Sequence, residues 1–155
     1  MVIKDTTTRG FIAGVIGGVL MNIVSYISYY LGIANLRFLD WPSIIITGHN
    51  PTNVLSVLFF LIVQLIFVGF LGFVFALLIS RVLTDTNHIF KGVLFGAISW
   101  FAIYGITYVA DVPKLTPLTL GTAVTDFLGA IVFGITLSEA LNRLDTGKEL
   151  IQNVP

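Results

Sequence analysis

Hydrophobic positions fill four long stretches of this chain, at residues 10–33, 54–80, 92–110 and 118–140. The hydrocarbon core of a bilayer is about 30 Å thick and a helix rises about 1.5 Å per residue, so each stretch is long enough to cross it. The short links and tails leave no room for a separate soluble domain. The pattern therefore predicts an all-α membrane protein with four transmembrane helices, in which residues 1–155 form a single integral membrane domain.

A shorter apolar segment lies in the link between the first two stretches. Residues 38–46 are too few to span a bilayer and too apolar for an exposed loop. Asp40 is placed to cap a short helix with Pro42 in its first turn, and Gly48 can end that helix. We predict an outer interfacial helix at about residues 40–47; the alternative is an ordered loop packed on the end of the bundle. The predicted interfacial residues are Arg37, Asp40 and Trp41.

Polar residues before the hydrophobic stretches predict where the helices begin. Asn50-Pro51 and Thr116-Pro117 are expected to open the second and fourth spans, because Asn and Thr are favoured caps and proline is favoured at the first helical position. Residues 84–87 offer caps for the third span.

The distribution of basic residues predicts the orientation. Six fall on one side of the membrane and two, Arg37 and Lys114, fall on the other. The six are Lys4, Arg9, Arg81, Lys91, Arg143 and Lys148. Because basic residues accumulate on the cytoplasmic side, we expect a multi-pass protein of the cell (inner) membrane with both termini in the cytoplasm. Aromatic residues near the opposite boundary, such as Tyr29 and Tyr108, agree with this orientation.

The two halves of the chain share a spaced pattern that suggests an internal repeat. Residues 9–14 and 91–96 both read as a basic residue followed by two glycines four residues apart. The second and fourth spans also share one spacing, carried by Gln64, Gly72 and Arg81 and by Asp126, Gly134 and Arg143. We hypothesise two parallel-repeat hairpins related by an axis along the membrane normal. The alternative is coincidence among glycine-rich apolar helices.

Small residues recur at helical spacing within the spans. The lipid gives no hydrophobic drive for helix association, so small residues that let backbones approach closely are typical of helix contacts. We expect packing within the chain; the alternative is that part of this surface, on the first span, packs against another protomer. The predicted packing residues are Gly10, Gly14, Gly18, Gly72, Gly92, Gly96 and Gly134.

Asp126 is an acidic residue well inside a predicted span. A charged residue at this depth is energetically costly and is a candidate functional residue. The hypothetical intramembrane binding site consists of Asp126, Gln64, Asn22, Thr122 and Thr125. If the repeat holds, Gln64 and Asp126 occupy equivalent positions and are expected to meet near the repeat axis. Three interpretations stay open: a proton- or cation-responsive site, a hydrogen-bonded cluster that sets helix register, or a contact between protomers.

Composition narrows the function further. Hydrophobic residues make up 56% of the chain and charged residues 10%, the net charge is zero, and cysteine is absent. No basic patch for nucleic acid exists, and neither thiolate nor paired-histidine metal sites are available. The chain also lacks a catalytic motif. We therefore expect no enzyme activity, no cofactor, no metal site and no nucleic-acid partner.

Two short stretches resemble a known family. Residues 8–14, Thr-Arg-Gly-Phe-Ile-Ala-Gly, and residues 36–41, Leu-Arg-Phe-Leu-Asp-Trp, are similar to the YqhR-like membrane proteins of spore-forming Firmicutes. The resemblance implies a four-span cell-membrane protein. It brings no assigned activity and no catalytic residues.

Two classes of function remain. In the first, the chain is a non-catalytic accessory or assembly subunit that contacts the lipid bilayer and acts as a homo-oligomer or with other membrane subunits. The alternative is an oligomeric channel or transporter for a small solute or ion that uses Asp126 and Gln64. One acid and a few amides make a sparse pathway, so the first class is favoured.

Overall fold

The computed structural model describes residues 5–81 and 86–152, with side chains described as far as residue 144. This part of the chain is all-helical and contains no strand. Its helices are α1 (Thr6–Tyr30), α2 (Asp40–Thr47), α3 (Val54–Arg81), α4 (His88–Val109) and α5 (Leu120–Gln152). The helices α1, α3 and α4 and the Leu120–Leu144 part of α5 are long and apolar enough to cross a membrane. The predicted all-α, four-span fold is confirmed.

The first span begins at an acidic cap. The carboxylate of Asp5 accepts hydrogen bonds from the backbone N–H of Thr7 at 3.2 Å and of Thr8 at 3.1 Å. Hydrogen bonds from the hydroxyl groups of Thr7 and Thr8, followed by these backbone bonds, lower the pKa of Asp5 to about 2. The cap is therefore charged at neutral pH, next to N–H groups that the helix itself leaves unpaired.

The predicted starts of the second and fourth spans are wrong by three residues. Helix α3 is capped by Asn53 rather than Asn50, because the Asn53 side chain accepts a hydrogen bond from the Ser56 N–H at 2.8 Å. The Ser56 hydroxyl in turn accepts one from the Asn53 N–H at 3.1 Å, so the two residues satisfy each other. In both spans a polar residue nearer the apolar stretch supplies the cap.

The residue that caps the fourth span is Thr119, whose hydroxyl oxygen accepts a hydrogen bond from the Thr122 N–H at 3.4 Å. The pair Thr116-Pro117 precedes the helix and does not begin it. At the third span, Asn87 occupies the cap position with a φ of 57° and makes no side-chain cap bond. Residues 84 and 85 of the predicted cap lie outside the described residues.

The interfacial helix has the predicted bounds, but its first turn works differently. Gly48 ends α2 with a φ of 75°, the left-handed conformation that glycine favours. Asp40 lies inside the first turn and does not cap the helix. Its carboxylate instead accepts hydrogen bonds from the Arg37 backbone N–H at 2.7 Å and from the Arg37 guanidinium at 2.8 Å.

The three residues predicted to be interfacial turn their side chains into the protein. The exposed fractions are 15% for the Arg37 side chain, 1% for that of Asp40 and 7% for Trp41. The Arg37 guanidinium also lies over the ring of Tyr29, 5.1 Å from its centroid. Burial alone would lower the pKa of Arg37, but the hydrogen bond and negative charge of Asp40 outweigh it, so the pKa lies above its ordinary value. Arg37 thus anchors α2 rather than contacting lipid.

The spans pack in the order α3, α1, α5 and α4. Helix α1 packs against both α3 and α5, and α4 packs against α5. In the described part of the chain, α3 and α4 share no comparably extensive contact, although Phe75 and Phe95 meet with ring centroids 5.1 Å apart. A gap therefore remains between α3 and α4.

Close backbone approach holds α1 to α3. A Cβ atom added to Gly10 would lie 2.5 Å from the Cβ of Ala76, and one added to Gly14 would collide with the carbonyl oxygen of Val68. Gly18 also faces Val68. The glycine face of α1 is therefore occupied by α3 of the same chain, which leaves no room there for a second protomer.

The contact between α4 and α5 repeats this arrangement. A Cβ atom on Gly92 would lie 2.6 Å from the Cβ of Ser138, and one on Gly96 would collide with the carbonyl oxygen of Ala130. In the proposed alignment Gly92 and Gly96 correspond to Gly10 and Gly14. The residues they meet, Ser138 and Ala130, correspond to Ala76 and Val68. The two hairpins thus share one contact pattern, as the repeat hypothesis predicts.

Adding one methyl group at the first hairpin should destabilise the protein. In Gly72→Ala the new Cβ atom would lie 2.6 Å from the Gly14 Cα atom and would collide with the Gly10 carbonyl oxygen. Overpacking of this kind costs about 1–3 kcal/mol. We expect a lower melting temperature in detergent micelles, followed by tryptophan fluorescence. The matched control is Gly105→Ala, whose Cβ atom meets nothing within 4 Å; equal melting temperatures for the two variants would contradict the close approach.

The anchoring of α2 can be tested with two arginine variants. Arg37→Ala leaves the buried Asp40 carboxylate without its cation, and breaking a buried ion pair in this way costs about 3–5 kcal/mol. Arg143→Ala removes a similar pair, with Glu139 one turn away, but the Arg143 side chain is 78% exposed. We expect a clear fall in melting temperature for Arg37→Ala and a near-wild-type value for Arg143→Ala. The reverse order would show that Arg37 does not anchor α2.

Candidate functional site

A cavity of about 260 Å³ lies between α3 and α4, and the surface it presents is apolar. Its floor is formed by α1 and α5 through Met21, Ala130 and Phe133. At the end where α2 lies, Trp41 and Ile45 are among the residues that line it. All five helices, together with Phe38 of the link before α2, therefore contribute residues to one site.

The cavity lies where the hypothesised repeat would place a second close contact between helices. Gly17 of α1 lies against the ring of Phe133 of α5, where an added Cβ atom would be 2.9 Å away. The equivalent contact would join α4 to α3. There α4 carries Ser99 and Trp100 where α1 carries Gly17 and Gly18, and both larger residues line the cavity. These side chains occupy the space through which α4 would approach α3.

Two hydrogen bonds between side chains occupy equivalent places in the two hairpins. The Asn22 amide donates to the Gln64 side-chain oxygen at 2.7 Å, which joins α1 to α3. The Tyr104 hydroxyl donates to the Asp126 carboxylate at 3.4 Å, which joins α4 to α5. With the repeat offsets, Asn22 corresponds to Tyr104 and Gln64 to Asp126.

We expected Gln64 and Asp126 to meet each other, but in the structure each of them has a different hydrogen-bond partner. Each of these residues bonds to the other helix of its own hairpin, because the glycine contacts bring those two helices together. Gln64 and Asp126 nevertheless both line the cavity. They reach one site from different helices without bonding to each other.

Four residues that line the cavity carry a buried polar atom with no hydrogen-bond partner among the described residues. The atoms are Asp126 Oδ1, Gln64 Nε2, Trp41 Nε1 and Trp100 Nε1. The exposed fraction is 1% for Asp126 and 5% for Gln64. The Trp41 indole lies beside the Asp126 carboxylate but is not aligned for a hydrogen bond. Since an unpaired buried polar atom costs about 1–3 kcal/mol, this cluster is suited to a bound molecule with polar atoms.

The predicted site residues Thr122 and Thr125 lie elsewhere. Thr125 and Ser28 share a hydrogen bond of 2.5 Å between their hydroxyl groups, and the Thr122 hydroxyl accepts one from the Asn35 N–H at 2.9 Å. These contacts hold α5 to the end of α1, and neither threonine lines the cavity. Asn22 also stays outside the lining, although it bonds to Gln64. The predicted five-residue site therefore divides into separate contacts.

Aromatic residues complete the site, and the sequence analysis missed two of them. Tyr104 lies between Trp41 and Trp100, with ring centroids 5.2 Å and 4.6 Å away. Trp41 was expected at the membrane interface, whereas Trp100 and Tyr104 were not singled out. Extending the repeat alignment from Asn22 to Tyr104 would have pointed to the second hydrogen bond, because it pairs a polar residue with each of Gln64 and Asp126.

Comparison with known proteins gives one match. A family model described as conserved membrane protein YqhR matches residues 4–143, which include all of the predicted spans. A search of curated proteins found no match. A search of solved structures also found none.

Proposed function

The chain belongs to the YqhR family of conserved membrane proteins, and from this premise we propose that it acts as a non-catalytic accessory or assembly subunit in a membrane complex. Its partners in this proposal are further copies of the chain or other membrane subunits. We place it in the cell membrane with both termini in the cytoplasm, on the basis of the basic residues in the sequence.

The separation of the interior polar groups is the observation that carries this proposal. A path for a solute or ion needs polar groups or water that continue from one side of the membrane to the other. In the described ranges, the hydrogen bond between Asn22 and Gln64 joins the two spans of the first hairpin. The hydrogen bond between Tyr104 and Asp126 joins the two spans of the second. Hydrophobic residues such as Met21, Val68 and Phe133 fill the core around them. This arrangement supports a role in which a single chain does not conduct.

The uncovered surface of the bundle supports association in the membrane. Only 11% of the most apolar 18-residue segment of α4 is buried, whereas 44% of the corresponding segment of α1 is buried. Large side chains such as Phe101, which is 73% exposed, project from α4. Such a surface is suited to contact with lipid or with the helices of other subunits, because exposing it to water would be unfavourable.

A second candidate function has one specific observation in its favour. Asp126 and Gln64 both line the cavity, and each carries a buried polar atom with no hydrogen-bond partner among the described residues; ionisable residues within a membrane often mark an ion or proton path. In that case an oligomer would act as a channel or transporter for a small solute or ion. The path would have to be completed between protomers.

Native mass measurement and flux measurement together test these candidates. For the accessory role we expect membrane extracts to contain the 16.9 kDa chain in a larger complex, of copies or other subunits. Proteoliposomes loaded with a pH-sensitive dye, with a K⁺ gradient and valinomycin, should leak protons no faster than protein-free liposomes. Asp126→Asn should leave that leak unchanged.

Two results would contradict the accessory role. Faster proton flux that Asp126→Asn abolishes would favour the channel or transporter. A chain that is monomeric in every extract, with no flux, would contradict both candidates. The control variant is Ser80→Ala, because Ser80 is exposed near the end of α3 and, among the described residues, its hydroxyl donates to the Leu77 carbonyl of its own helix.

A further inference from the structure

We propose that the cavity between α3 and α4 binds an alkyl-chain lipid whose neutral polar group, a hydroxyl or an amide, bonds to Asp126 and Gln64. This inference goes beyond the subunit role and does not depend on it.

The size and position of the cavity select a chain-like molecule from the bilayer. The cavity has a volume of about 260 Å³. Its walls are membrane-spanning helices that do not close on each other, and its surface is apolar. A hydrocarbon chain matches these conditions.

The unpaired polar atoms select the head group. Beneath the apolar surface, the lining residues hold four buried polar atoms that are unpaired among the described residues: one carboxylate oxygen, on Asp126, and N–H groups on Gln64, Trp41 and Trp100. A hydroxyl or amide both donates and accepts, so it can donate to Asp126 while it accepts from one of the N–H groups. A pure hydrocarbon would leave all four atoms unpaired. An ammonium group has no acceptor for the N–H groups and would place its positive charge beside them.

The aromatic residues hold this polar cluster in place. Trp100 packs against both Tyr104 and Phe127, with ring centroids 4.6 Å and 5.1 Å away. Trp41 reaches the same cluster from α2, which Arg37 and Asp40 anchor. Two of the four unpaired atoms therefore belong to rings that packing holds in place.

The tryptophans also give a direct readout. The chain contains two tryptophans, and both line the cavity, so its tryptophan fluorescence reports on this site. A bromine atom on an alkyl chain quenches tryptophan fluorescence on close contact. The full chain in nanodiscs of a saturated phosphatidylcholine can therefore be titrated with 2-bromo-1-undecanol, with 2-bromoundecane, and with the trimethylammonium derivative that carries bromine at the same position.

We expect the bromo-alcohol to quench saturably and to bind about tenfold more tightly than the bromo-alkane and the ammonium derivative. Gln64→Met and Asp126→Leu should each remove most of this advantage and leave the affinity for the bromo-alkane unchanged. Val63→Phe, which narrows the cavity, should weaken quenching by all three probes. The control is Ile62→Phe, because Ile62 is the neighbouring residue in the chain but is 57% exposed. This variant should bind all three probes like the wild type.

The comparison of the three probes on the wild-type chain needs no variant, so it decides the matter even if a substitution prevents folding. Equal affinity for the alcohol and the alkane would overturn the polar part of the proposal. Tighter binding of the ammonium derivative would show a cation site instead. Quenching that never saturates would mean that the cavity has no specific ligand. None of these outcomes changes the mass or flux expected for the subunit role.

Discussion

The rest of this structure depends on the close approach of helix backbones at glycine residues. Gly10 and Gly14 let α1 rest on the backbone of α3, and Gly92 and Gly96 let α4 rest on α5 in the same way. In lipid, where burial of apolar surface gives no drive between helices, such contacts are a main source of association. They also decide which polar residues can meet. Gln64 bonds within the first hairpin and Asp126 within the second because those helix pairs are the closest.

The site lies where a close contact made by α1 has no counterpart at α4. Helix α1 closes on α5 through Gly17, whereas the equivalent positions of α4 carry larger side chains and α3 stays apart. Helix α2, which has no counterpart in the second hairpin, then covers one end of the gap with Trp41. A duplicated hairpin pattern thus becomes asymmetric through a few changes in side-chain volume, and the asymmetry is a cavity lined by both tryptophans.

Polar atoms without partners in an apolar cavity are the chemical feature that a function has to explain. A bundle that only needed stability would be better served by apolar residues of the same volume, since each unpaired atom costs free energy. The hydrogen bonds from Asn22 and Tyr104 satisfy only one atom each of Gln64 and Asp126. The remaining atoms are buried within residues that line the cavity. The same geometry agrees with a subunit that responds to lipid more readily than with a conducting path.

Hydropathy and local motifs in the sequence determined the four spans, the bounds of α2 and its end at Gly48, because these depend on residues close together in the chain. The glycine spacing also indicated the two hairpins. The caps at Asn53 and Thr119 are also local, but more than one capping residue precedes each of these spans and the first one was chosen. The tertiary structure alone decided that Gln64 and Asp126 bond apart, and that Thr122 and Thr125 lie outside the site. Partner choice depends on distances between helices, and those distances follow from side-chain volumes at contacts that no spacing along one helix reveals.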